Sequence, residues 1–110
     1  MSLPLNVFKT KTADLTIYDT DIYTAPTGKS SILLLAQISN ITNTTGNVTV
    51  SHKYSGTTTE LVKEFYIPGN DSASALTGKL VLEEGHKLSV SASSNNKFKI
   101  TLSILESVNG

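Results

Sequence analysis

Lys87-Leu-Ser-Val-Ser-Ala-Ser93 and Lys97-Phe-Lys-Ile-Thr-Leu-Ser-Ile104 decide the fold class. In the first stretch Leu88, Val90 and Ala92 alternate with polar residues, and in the second Phe98, Ile100, Leu102 and Ile104 do the same. Successive side chains of a pleated strand point to opposite faces, so a period of two marks a strand with one buried and one solvated side. Between the stretches lies Ser94-Asn95-Asn96, a short polar link whose Asn residues tolerate left-handed backbone. Residues 86–106 therefore read as a β-hairpin.

Working outward, Lys79 to Glu83 reads as a short strand closed by Glu84-Gly85. Leu61, Phe65 and Ile67 belong to a strand ended by Pro68-Gly69. Val48 and Val50, with Tyr54 beyond, form a strand after the turn Thr44-Thr45-Gly46-Asn47. Leu15 and Ile17, then Ile22 and Tyr23, suggest two short strands split by Asp19-Thr20-Asp21 and stopped at Pro26-Thr27-Gly28. The run Ile32-Leu-Leu-Leu-Ala36 with Ile38 breaks the alternation, which suits a central strand covered on both sides. Seven or eight short strands at this spacing predict an all-β fold, a single-domain antiparallel β-sandwich of jelly-roll-like or Ig-like type. Residues 1–12 are expected to form an N-terminal arm or edge strand, and 13–110 the sandwich domain.

Composition narrows the function classes. The chain has 110 residues, enough for one domain with a real core. Nine basic residues balance nine acidic ones, and every basic residue is Lys. Without Arg there is no planar fork for phosphates or guanine edges, and without net charge no footprint for a polyanion; nucleic acid is not an expected partner. The absence of Cys excludes disulfides and thiolate metal sites. The first residues carry no basic and apolar leader, and the longest apolar run is too short to span a bilayer, so no membrane partner is expected and synthesis in a cytoplasm is.

Few residues suggest chemistry. His52 continues the phase of Val48 and Val50 and is expected at the end of a buried strand face, whereas His86 follows a Glu-Glu-Gly turn and is expected to be exposed. No Ser stands in a Gly-x-Ser-x-Gly elbow, so no catalytic residue is assigned. Asp19 and Asp21 lack the rest of a Ca²⁺ loop and read as turn residues bonding their own backbone; no metal or other cofactor is expected. Asn40-Ile-Thr42 and three similar triplets match the glycosylation pattern but read as turn and strand residues. Tyr18, Tyr23, Tyr54 and Tyr66 read as strand residues with surface hydroxyls; an exposed Tyr54 and Tyr66 pair would suggest stacking on a sugar. Leu3, Leu5, Val7 and Phe8, isolated apolar residues around Pro4, are the candidate assembly arm, adding a strand to a neighbouring sheet.

The order of segments resembles a group of small structural proteins of tailed-bacteriophage virions. The resembling residues are Tyr23-Thr-Ala-Pro-Thr-Gly-Lys29, the apolar strand ending Gln37-Ile-Ser-Asn40, Gly46-Asn-Val-Thr-Val50, Phe65-Tyr-Ile-Pro68, Gly78-Lys-Leu-Val-Leu-Glu-Glu-Gly-His86, and Leu88-Ser-Val-Ser-Ala92 with the closing strand to Glu106. That group has a vPaG turn before a strand ending in Asn, and an LeaGD turn before the hairpin; here His86 replaces the usual Asp. The resemblance implies a non-enzymatic virion component, either capsid decoration or a neck or tail accessory protein. It implies contacts with copies of itself, as a homo-oligomer, and with other virion proteins. The alternative expectation is a glycan- or receptor-binding β-sandwich on the virion surface.

Overall fold

Alternating segments become strands wherever their apolar phase has a core to face, and here they face one core from two sides. The computed structural model describes residues 6–108. Its strands are β1 (Asn6–Asp14), β2 (Thr20–Thr24), β3 (Lys29–Asn40), β4 (Gly46–Tyr54), β5 (Thr57–Ile67), β6 (Ser72–Ser74), β7 (Leu80–Leu82), β8 (Lys87–Ala92) and β9 (Phe98–Val108). One sheet has the order β1-β9-β3-β6, with β7 also pairing β3; the other has the order β2-β8-β4-β5. All pairings are antiparallel. Leu33, Ile38, Phe98, Ile100, Leu102 and Ile104 of the first sheet meet Val48, Val50, Ile67, Leu88 and Val90 of the second in a single core.

The pairing is nested. β4 pairs with β5, β3 with β6 and β7, β2 with β8, and β1 with β9. The chain is thus one long two-legged hairpin rolled over itself, which is the jelly-roll arrangement rather than the Ig-like one. Its tip is the tight turn Ser55-Gly56, where Tyr54 pairs with Thr57 and both turn residues have positive φ (50° and 81°). Two left-handed residues in a two-residue loop match the twist of the flanking strands.

Nesting corrects the reading of residues 86–106. Both strands are present, but they do not pair as a hairpin. β8 joins β2 and β4, whereas β9 joins β1 and β3 in the opposite sheet. Alternation fixes which side chains face the core and is silent on which sheet a strand enters. The link Ser93–Lys97 is long enough to cross the roughly 10 Å between packed sheets. A second crossing replaces the strand expected at Leu15 and Ile17. There the backbone N–H of Leu15 donates to Phe98 O of one sheet, Thr16 O accepts from Ala92 of the other, and Leu15 fills the end of the core.

The Leu33-Leu34-Leu35 run also has a different cause from the expected one. β3 is central, but its outer face is not covered. A β-bulge between Leu33 and Leu35 inserts an extra residue and leaves Leu34 and Leu35 both exposed. At the far end of β3, buried Asn40 locks the following loop. Its amide donates to Thr44 O and Ile67 O, and its Oδ1 accepts from the N–H and hydroxyl of Thr42. Lys97 lies under this loop, donating to the Thr42 and Thr44 hydroxyls. Gly46 opens β4 without a side chain because a Cβ there would come within 2.7 Å of Phe98 Cζ.

Candidate functional site

The outer faces of the two sheets differ in chemistry. On the first sheet, register aligns Phe8 of β1 with Leu105 of β9, Leu105 with Ile32 of β3, and Ile32 with Val81 of β7. These four residues form a continuous apolar row across the sheet, ending in Phe8 (74% exposed) and Val81 (57% exposed). Neighbouring rows are Asn6-Ser107-Ser30 on one side and Thr10-Ser103-Leu35, then Thr12-Thr101-Gln37-Ser74, on the other. No outward-facing strand residue in these rows is ionisable; charge returns only in the last row, with Asp14 and Lys99.

On the second sheet the outer face is ionic. Lys87 pairs with Asp21 at 3.4 Å, Lys53 pairs with Asp19, and Glu60 stands beside Ser51. Asp19 and Asp21 thus bond lysines across the sheet edge, not their own backbone as expected. Among the described residues no group of three or more His, Cys, Asp or Glu side chains is placed to hold a metal ion.

A cleft of about 510 Å³ opens between edge strands β1 and β2, bordered by Lys9, Lys11, Tyr23 and Ile104, with Glu106 at its floor. Glu106 occupies the inward phase of β9 after Phe98, Ile100, Leu102 and Ile104, and its side chain is 2% exposed. It accepts a hydrogen bond from the Tyr23 hydroxyl, which lies 2.7 Å from Ser31 Oγ, and is reached by Lys9 Nζ at 3.0 Å and Lys29 Nζ at 3.5 Å. Burial alone would raise its pKa, but the Tyr23 and Lys9 hydrogen bonds and the two ammonium charges outweigh it. The carboxyl is held below its ordinary range. Burial, then Glu106, push the Tyr23 hydroxyl up to about 12. Tyr23 therefore has a buried hydroxyl, contrary to the surface position expected of it. Each polar group has a partner within the fold, so the cluster acts as a clamp joining β2 of one sheet to β9 of the other.

The histidines meet at the end of the sandwich. His52 Nε2 lies 2.8 Å from His86 Nδ1, Tyr54 stacks on the His86 ring at 4.1 Å between centroids, and Glu83 is 3.5 Å from His86 Nε2. His86 is half-buried rather than exposed, because the β7–β8 turn folds it over the end of β4. The two rings hydrogen-bond to each other, and among the described residues no Ser or Thr hydroxyl is bonded to either ring. Tyr54 and Tyr66 are both exposed but lie at opposite ends of the β4–β5 hairpin, Tyr54 opposite Thr57 and Tyr66 opposite Asn47. They form no stacking pair.

Of the candidate arm, Leu3 and Leu5 lie outside the described residues, while Val7 and Phe8 sit on β1. Val7 takes the inward phase opposite Glu106, and Phe8 the outward phase opposite Leu105. The apolar row and the Glu106 clamp were missed in the sequence. The signals were there: Glu106 stands in the apolar phase of its strand, and Leu105 in the polar one.

No protein-family model matches the chain. No curated protein matches it in sequence. Solved structures do share its fold. One comes from work on Bacillus endospore appendages, a family of disulfide-linked pili; it has a TM-score of 0.57 at 13% identity and covers 96% of this chain and 87% of that one. Another is from the acid-stable capsid of Helicobacter pylori bacteriophage KHP30, with a TM-score of 0.54 at 9% identity, covering 98% of this chain and 95% of that one. The likeness extends over nearly the whole length of each chain, and what it establishes is a common all-β sandwich fold.

Proposed function

We propose that the chain is a structural assembly protein, a subunit that works by contact with copies of itself and with other proteins of a virion. The observation that carries this reading is the end-to-end fold similarity to a bacteriophage capsid structure and a pilus structure. The jelly roll recurs in viral capsid domains, and repeated copies of one subunit there meet through symmetric contacts. The chemistry agrees: the carboxylates, lysines and histidines at the cleft and at the end of the sandwich are engaged with one another. The chain contains no cysteine, so none of its contacts is a disulfide.

Within that role, the reading that fits the segment pattern is a tailed-phage capsid decoration protein or neck or tail accessory protein, located on the virion as a homo-oligomer. Leu3, Leu5, Val7 and Phe8 are its assembly arm. β1 is an edge strand, and an apolar segment running into an edge can extend pairing onto a neighbouring subunit at low cost. Immunogold labelling of intact particles tests the role: labelled particles are expected, and a protein found only in the unassembled fraction overturns it. Removal of residues 1–5, which spares β1, is expected to reduce incorporation into particles; unchanged incorporation overturns the arm.

A further inference from the structure

We infer that the uncharged outer face of the β1-β9-β3-β7 sheet is the surface through which two copies of this chain pack, face to face. The inference rests on the assembly role proposed above and names the surface that performs it. Three observations select a second copy as the occupant.

The first is charge. A face with no ionisable residue in the four rows beginning at Asn6, Phe8, Thr10 and Thr12 meets its own duplicate without like-charge repulsion and without stranding a buried charge. Polyanions and ionic partners have nothing to bind there, and the second sheet, with its lysine–aspartate pairs, has the opposite character.

The second is self-complementarity. A two-fold axis parallel to the strands reverses the strand order while keeping each row over the same row. Phe8 of one copy then meets Val81 of the other, and Leu105 meets Ile32, so the largest residue of the row lands on one of the smaller ones. The contact repeats identically on both sides of the axis, which is the requirement for an isologous interface.

The third is size. Four strands about 4.8 Å apart and four rows about 6.8 Å apart make a face on the order of 500 Å². That is near the lower end of the roughly 600–1,000 Å² per partner of a stable protein interface. An apolar centre of Phe8, Leu105, Ile32, Val81, Leu34 and Leu35 within hydroxyl-bearing rows has the core-and-rim arrangement of such interfaces.

The test uses the whole chain in analytical ultracentrifugation across a concentration series. Phe8→Lys and Val81→Lys change opposite edges of the row at residues already exposed, and each is expected to weaken self-association at least tenfold. Thr58→Lys, on the outer face of the second sheet, is expected to leave association unchanged. A second measurement is free of background because the chain has no cysteine. The double variant Phe8→Cys, Val81→Cys is expected to form disulfide-linked dimers on mild oxidation. Association undiminished in both lysine variants, or no cross-linked dimer from the cysteine variant, overturns this face and leaves the assembly role standing. A wild-type chain that stays monomeric at millimolar concentration and is absent from particles overturns both.

Discussion

The two sheets share one core yet turn unlike surfaces outward. β9 alternates Phe98, Ile100, Leu102 and Ile104 inward with Thr101, Ser103 and Leu105 outward, whereas the outer face of the second sheet carries Lys53, Lys87, Asp21 and Glu60. Packing against the core demands an apolar inner phase of both sheets and places no demand on the outer one. The outer phase is therefore where contacts beyond the fold are encoded. A solvated surface is well served by interleaved charges, as on the second sheet. The first lacks them in the four rows from Asn6 to Thr12 and has Phe8 and Val81 in their place.

The strongest way to probe this contrast is to disturb what both faces rest on. Leu102→Ala removes a fully buried side chain between the sheets and is expected to cost about 2–5 kcal/mol in denaturant unfolding. Both sheets should lose structure in one transition; separate transitions would mean that the faces belong to independent units.

Next in size is the Glu106 clamp. Glu106→Gln leaves Lys9 and Lys29 without their anion and is expected to cost about 1–3 kcal/mol at neutral pH. A carboxyl whose folded pKa lies below its unfolded value stabilises the protein above the unfolded pKa, and the gain is lost as pH falls through the folded one. The wild type should therefore lose stability on acidification below the ordinary glutamate range, and the variant should lose less. Tyr23 acts at the other limit. Its raised pKa favours the folded state up to the ordinary tyrosine range, and that contribution disappears as pH climbs toward about 12. A flat stability profile at both extremes would remove the clamp from the account.

Smaller effects separate the faces directly. Lys53→Ala and Lys87→Ala each break an ion pair on the second sheet and are expected to change stability by less than about 1 kcal/mol, with the difference shrinking in high salt. Thr101→Ala, on the first sheet, should show no salt dependence. Smallest of all is Ser89→Ala. Ser89 is fully buried, and its hydroxyl has no partner among the described residues, so the substitution should be neutral or slightly stabilising in thermal melts.

Much of the fold was legible because alternation is a local property. Leu88 to Ala92 and Phe98 to Ile104 announce their strands, and Val48 and Val50 announce a third. Partner choice is not local, which is why the assumed β8–β9 hairpin gave way to two strands in different sheets, while the true tight turn at Ser55-Gly56 went unread. A bulge also mimics a doubly buried strand. Leu33, Leu34 and Leu35 appear continuous in sequence, yet the extra residue sends two of them outward. The clamp and the apolar row were partly legible, since Glu106 and Leu105 each stand in the wrong phase of their strand. Nothing local, however, could bring Phe8, Leu105, Ile32 and Val81 into line; that takes the register of four strands.

The pairing of β1 with β9, from Asn6 opposite Ser107 to Asp14 opposite Lys99, sets an order of events during synthesis. β9 is the central partner of both β1 and β3, and it is the last of the described strands to leave the ribosome. Until it emerges, β1 has no partner and the β2-β8-β4-β5 sheet has no complete sheet to pack against, so folding waits on distant chain closure and is slow for so short a polypeptide. A product truncated before Phe98 would lose the strand that joins β1 to β3, exposing sticky unpaired backbone to its neighbours.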